Sequence, residues 1–129
     1  MSHANETVLR NAYAAFARGD LPAFLALCTP DITFHVPGDG LLAGTHTRDA
    51  FLAKLGPAMA AVAGSFREEV MRVVAGDQEG AVVAAQQAER DGRLHRWNAV
   101  HWWRIQNGKL AEFWEFTDDQ RAFDAAWHG

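Results

Sequence analysis

The chain has little of what several function classes require. Among its 129 residues there is one cysteine, Cys28, which excludes an internal disulfide and any multi-cysteine metal site. Cys28 ends the apolar run Phe24-Leu25-Ala26-Leu27 and reads as a small buried residue, not a nucleophile. There is no basic run and the net charge is −4, so no nucleic acid partner is expected. No apolar run is long enough to span a bilayer, so no membrane partner is expected either. The first ten residues, MSHANETVLR, carry no apolar signal core; nothing points to export, and the cytoplasm is the expected location. Gly-rich phosphate loops, Ser/His/Asp orders and Cys/His nucleophile motifs are missing, and no cofactor is signalled. The histidines are scattered. His35, His95 and His101 have no metal-ligand spacing, His46 lies in a loop, and His3 and His128 fall near the termini, so no metal site is expected.

What the chain does have is apolar material, 49% of its residues, enough for the core of one domain over 1–129. Its aromatic weight is concentrated between Arg93 and Asp118, which holds four of the five tryptophans. Ile105-Gln106-Asn107-Gly108-Lys109 in the middle is a turn between strand-type residues, so two antiparallel strands are expected over 93–105 and 109–117. A three-residue loop pairs Ile105 with Lys109 and His101 with Phe113, and puts Glu115 on the face of His101, two positions further along. One face then carries Trp97, Ala99, His101, Trp103, Phe113, Glu115 and Thr117. The other carries Asn98, Val100, Trp102, Arg104, Glu112, Trp114 and Phe116. Both are aromatic, so helices are expected over one and a second subunit over the other.

Upstream, apolar spacing predicts a helix over 7–18, capped by Thr7 or Asn5, and a second over Leu21–Cys28. Thr29-Pro30-Asp31 breaks it, and Ile32–Val36 is a strand stopped by Pro37-Gly38. A loop follows to Thr47, then a helix over 48–63, capped by Thr47 and kinked or split at Gly56-Pro57. Phe66–Ala75 alternates loosely and Ala81–Arg90 ends at the hairpin signal Asp91-Gly92, so both read as strands. A short helix over Asp119–Trp127, started by Thr117 or Asp118, ends the order. Helices first and strands later is the α+β pattern.

This order, with Tyr13-Ala14-Ala15-Phe16-Ala17-Arg18-Gly19-Asp20-Leu21, Asp31 to Gly38, Leu42-Ala43-Gly44, Gly108-Lys109-Leu110 and Phe113 to Phe116, resembles the NTF2-like superfamily in its SnoaL-like, ketosteroid isomerase-related branch. The resemblance covers nearly the whole chain. It implies an NTF2-like cone: N-terminal helices on a strongly curved, mostly antiparallel sheet that encloses a pocket, commonly in a homodimer through the sheet's outer face. The ketosteroid isomerase residues, a tyrosine on the first helix, an aspartate at the end of the first strand and an acid on a later strand, fall on Ala12, Val36 and His101. All three differ, so that chemistry is not expected.

The candidate acid–base pair is His101 with Glu115. Histidine exchanges protons near neutral pH, and a carboxylate beside it fixes its tautomer. His35, before the Val36-Pro37-Gly38 turn, is a third candidate at the pocket mouth, although alternation sends it opposite to Val36. Trp97, Trp103 and Phe113 are expected to line the pocket, with Val36 inward and Gln86 placed to fix a ligand's polar group. Tyr13, the only tyrosine, sits one place from the family's tyrosine, a turn of about 100° on a helix, and reads as core or as a pocket donor. Two functions are expected to compete. One is a small cofactor-independent isomerase, cyclase or hydrolase acting on a hydrophobic carbonyl, hydroxy or epoxide compound. The other is a non-catalytic ligand-binding or accessory dimer.

Overall fold

A computed structural model describes residues 3–129; Met1 and Ser2 of the expected 1–129 domain lie outside the described residues. The chain opens with α1 (Ala4–Ala17) and α2 (Leu21–Ala26), then β1 (Cys28–Val36), β2 (Gly44–Thr47) and α3 (Arg48–Ala61). Four long strands follow, β3 (Arg67–Ala75), β4 (Glu79–Arg90), β5 (Arg93–Gln106) and β6 (Lys109–Thr117), before α4 (Gln120–Trp127). The strands form one six-stranded sheet in the order β2-β1-β6-β5-β4-β3. Only β1 with β6 is parallel. The helices pack on one face of this sheet, which makes the molecule α+β as expected.

Several boundaries differ from the sequence reading, each for a local reason. α1 starts at Ala4 because His3 caps it, accepting the Asn5 N–H on Nδ1 at 3.1 Å. Asn5 is inside the helix, where its amide donates to the Gly76 and Asp77 carbonyls. α2 stops at Ala26, and Cys28 already belongs to β1. Thr29-Pro30-Asp31 lies within that strand, where its register against β6 shifts between Cys28 and Thr33. A proline lacks the ladder N–H, so this irregular stretch is where it fits. β2 lies in the expected loop; its four residues pair with the end of β1 but are too few to show a period. α3 is capped by Thr47 as expected and is not split, with Pro57 inside it. α4 is capped by Asp119, whose side chain accepts the Ala122 N–H.

The hairpin differs in a way that matters for the site. Its loop has two residues, with Gln106 paired to Lys109, and Asn107 and Gly108 at φ 50° and 74°. Two consecutive positive φ values mark a type I′ turn. One residue later the register shifts, so that Ile105 faces Leu110 but Arg104 faces Glu112. The extra residue, Ala111, is a bulge. A two-residue turn plus a one-residue bulge gives the same side-chain parity as a three-residue loop. The two face sets are therefore those expected, but His101 stands directly opposite Glu115 and not Phe113.

The core lies between the sheet's inner face and the helices. β5 alternates buried and exposed from Trp97 to Gln106, and β4 alternates buried and half-buried from Gly80 to Ala88. α1 meets the sheet at Gly80, where an added Cβ would lie 2.7 Å from Leu9 Cδ1. α4 closes one end, with Phe123 and Trp127 packed edge-on against Trp97.

Candidate active site

A cavity of about 90 Å³ opens between the inner sheet face and the helices. That is room for several water molecules or one compact organic ligand. Its walls are Ala12, Tyr13 and Phe16 of α1, Phe34 and Val36 of β1, Phe51, Leu55 and Met59 of α3, Trp103 and Phe113 of the hairpin, and Phe123 and Trp127 of α4, among others. Four further polar side chains reach into it: Glu68, Gln86, His101 and Glu115.

The register delivers His101 and Glu115 side by side. His101 Nε2 lies 2.8 Å from Glu115 Oε2, and the two side chains are 4% and 9% exposed. His101 Nδ1 lies 2.5 Å from the Tyr13 hydroxyl, which also accepts the Trp103 indole N–H at 3.0 Å. An indole only donates. The tautomer that satisfies every atom has Tyr13 donating to Nδ1 and the Nε2–H donating to Glu115, an assignment made from the network. Burial pushes the Tyr13 hydroxyl well above its ordinary range, and the charge of Glu68 adds to this, so Tyr13 stays neutral. Both ring nitrogens of His101 are thus engaged. The atom of this network left free for a ligand is Glu115 Oε1, which has no hydrogen-bond partner among the described residues.

A second chain of polar groups starts at Trp97. Its indole N–H donates to Gln86 Oε1 at 2.6 Å, which turns the amide nitrogen of Gln86 towards Glu68 Oε2 at 2.5 Å. Burial raises the Glu68 carboxyl above its ordinary value, with Glu115 adding to the effect and His101 and Gln86 opposing it. Glu68 Oε1 also has no partner among the described residues. The one fully buried side-chain N or O atom without a partner there is Thr29 Oγ1. Both free carboxylate oxygens therefore keep some exposed surface, on side chains that line the cavity.

Seven of the nine expected site residues line this cavity: His101, Glu115, Trp103, Phe113, Gln86, Val36 and Tyr13, the last as the anchor of His101. Trp97 does not line it; the ring packs beneath Gln86 against Phe123 and Trp127. His35 is not there either. It stacks on Trp114 with ring centres 5.1 Å apart, on the outer face, with Nε2 2.6 Å from Glu112 Oε2 and Nδ1 2.9 Å from Thr45 Oγ1. Adjacent strand residues point to opposite sides, and Val36 takes the cavity side. Glu68 is the polar cavity residue that sequence reasoning missed, along with apolar walls such as Phe34, Phe51 and Met59. The signal for it is the pairing of Glu68 with Gln86, which puts both on one face. Cys28 is buried, with burial pushing its thiol up to about 12, and takes no part. Among the described residues no group of three or more His, Cys, Asp or Glu side chains could hold a metal ion, and no helix is long and apolar enough to cross a membrane.

Residues 9–113 match the family described as SnoaL-like domain. Rv0034, an uncharacterised protein of Mycobacterium tuberculosis (strain ATCC 25618 / H37Rv), is 30% identical over 123 residues, 93% of each chain. Bal32a, from a soil-derived mobile gene cassette, superposes with a TM-score of 0.89 at 27% identity over 97% of each chain. An NTF2-like protein from Burkholderia pseudomallei K96243 gives 0.83 at 26% identity, over 96% of this chain and 98% of that one.

Proposed function

The chain belongs to the SnoaL-like family within the NTF2-like superfamily, and from that premise we propose that it is a cytoplasmic, cofactor-independent enzyme performing acid–base chemistry on a hydrophobic small molecule. The observation that carries this reading is the buried His101–Glu115 pair, with one carboxylate oxygen free inside an aromatic cavity. Polar groups converging in an apolar cavity are the usual signature of a reacting centre. Glu115 is the group that meets the ligand. In an isomerase or cyclase it takes a proton from an activated carbon or hydroxyl of the substrate and returns it to another atom of the same molecule; in a hydrolase it takes the proton from a water that attacks the substrate and delivers it to the oxygen released when the bond breaks. His101 is a positioning residue, because both its nitrogens are spent on Tyr13 and Glu115.

A panel of hydrophobic ketones, hydroxy compounds and epoxides, followed by product analysis, tests the reading. Glu115→Gln should lower kcat by about 10²–10⁴-fold, the usual contribution of a general acid or base, with a smaller effect on KM. Ligands that bind and are not turned over would favour the second reading, a non-catalytic ligand-binding or accessory dimer. The Tyr13–His101–Trp103 network is the observation on that side, since it leaves His101 no free nitrogen with which to exchange a proton with a ligand. In either case the outer sheet face is assigned to a homodimer. Val100, Trp102 and Phe116 are 40%, 39% and 57% exposed on it, a patch suited to a second copy.

A further inference from the structure

Glu68 is a carboxylate in an apolar cavity with no cation to balance it. Among the described residues it forms no ion pair. No lysine or arginine lines the cavity. The charges available there are Glu68 and Glu115 against His101 alone, so two ionised carboxylates outnumber even a protonated imidazole by one. Two residues nevertheless hold Glu68 in place, with Trp97 fixing Gln86 and Gln86 donating to Oε2. The Glu68 Oε1 atom has no hydrogen-bond partner among the described residues, and Glu115, a second carboxylate lining the same cavity, has an unused Oε1 on a side chain 9% exposed. A buried carboxylate costs free energy unless something positive or donating meets it. The surrounding rings, Phe16, Phe66 and Trp103 among them, offer faces that attract cations.

We infer that Glu68 anchors a positively charged nitrogen: the cavity takes a compact apolar molecule carrying a protonated amine and refuses an organic acid. This rests on the ligand-cavity reading above and adds the chemistry of the group that orients the substrate, leaving Glu115 for the reacting end. Repulsion from two carboxylates, with no arginine or lysine to offset it, excludes an anionic ligand.

Calorimetric titration of the whole protein at neutral pH with three probes of one shape tests it: 2-phenylethylamine, 2-phenylethanol and 3-phenylpropanoate. The amine should bind about tenfold or more tightly than the alcohol, as a charge-assisted hydrogen bond implies, and the propanoate most weakly. Glu68→Gln should abolish the amine's advantage over the alcohol. Equal binding of amine and alcohol, or preference for the propanoate, overturns the inference and leaves the cavity reading standing. Binding of none of the three overturns both. The ranking on the unmutated protein decides the matter even if the variant does not fold.

Discussion

Tyr13 shows how one atom organises the site. Its hydroxyl accepts from Trp103 and donates to His101, whose other nitrogen holds Glu115. Tyr13→Phe strands a buried indole N–H and an imidazole nitrogen, so unfolding in urea should show a loss of about 1–3 kcal/mol, the cost of unsatisfied buried groups. Glu68 has the opposite effect on stability. Burial raises its folded pKa above the unfolded value, so the folded state holds the proton more tightly. Its favourable contribution is present at pH values below its ordinary range and is lost as pH rises through the raised folded value. Glu68→Gln should therefore stabilise the protein at neutral pH, by about 1 kcal/mol on the scale typical of relieving a functional strain. Thermal unfolding from pH 4 to 8 checks this; the variant should lose the decline with rising pH. Of these residues, the inward side of His101 and Glu115 is legible from strand alternation. Glu68 is not, because Glu68 and Glu69 are adjacent carboxylates and the bulge near Met71 breaks the period of β3.

At the scale of elements, the hairpin carries the site. The Asn107-Gly108 signal locates the turn, but turn type and bulge together decide the register, and a bulge at Ala111 leaves no mark in an apolar-polar pattern. β2 is hidden for another reason: four residues pair only because β1 supplies an edge. α1 and α4 are legible by position, while their caps, His3 and Asp119, follow from contacts made in the folded chain. Deleting Ala111 should remove the bulge and leave a regular ladder in which Arg104 still faces Glu112, so residues 112–117 keep their faces. The expected result is a protein that still unfolds cooperatively in urea; loss of cooperative unfolding would contradict the bulge. Gly108→Ala isolates the turn itself. Gly108 sits at φ 74° with nothing near a new Cβ, so the substitution should cost about 1 kcal/mol from backbone strain alone. A modest fall in Tm with ligand binding kept would agree.

At the scale of the whole molecule, the two aromatic sheet faces divide the work. The inner one is covered by helices and encloses the cavity; the outer one keeps Val100, Trp102 and Phe116 exposed. Phe116→Glu should turn a dimer into a monomer in light scattering without loss of the fold, and a protein monomeric before the substitution would rule out the assigned interface. Fold class and superfamily are legible at this scale because element order and face parity survive errors of a few residues in each boundary. The cavity's chemistry is not, because it depends on which inward groups converge after the sheet has curved. The claim on which all else depends is that His101 and Glu115 border a space a ligand can enter. Titrating 2-phenylethanol into the labelled protein while following the His101 ring and the Trp103 and Trp102 indole signals by NMR tests it directly. Saturable shifts at His101 and Trp103, with Trp102 on the outer face unmoved, are the predicted result. A folded protein in which no inward signal responds would mean that the pair is sealed inside an ordinary core.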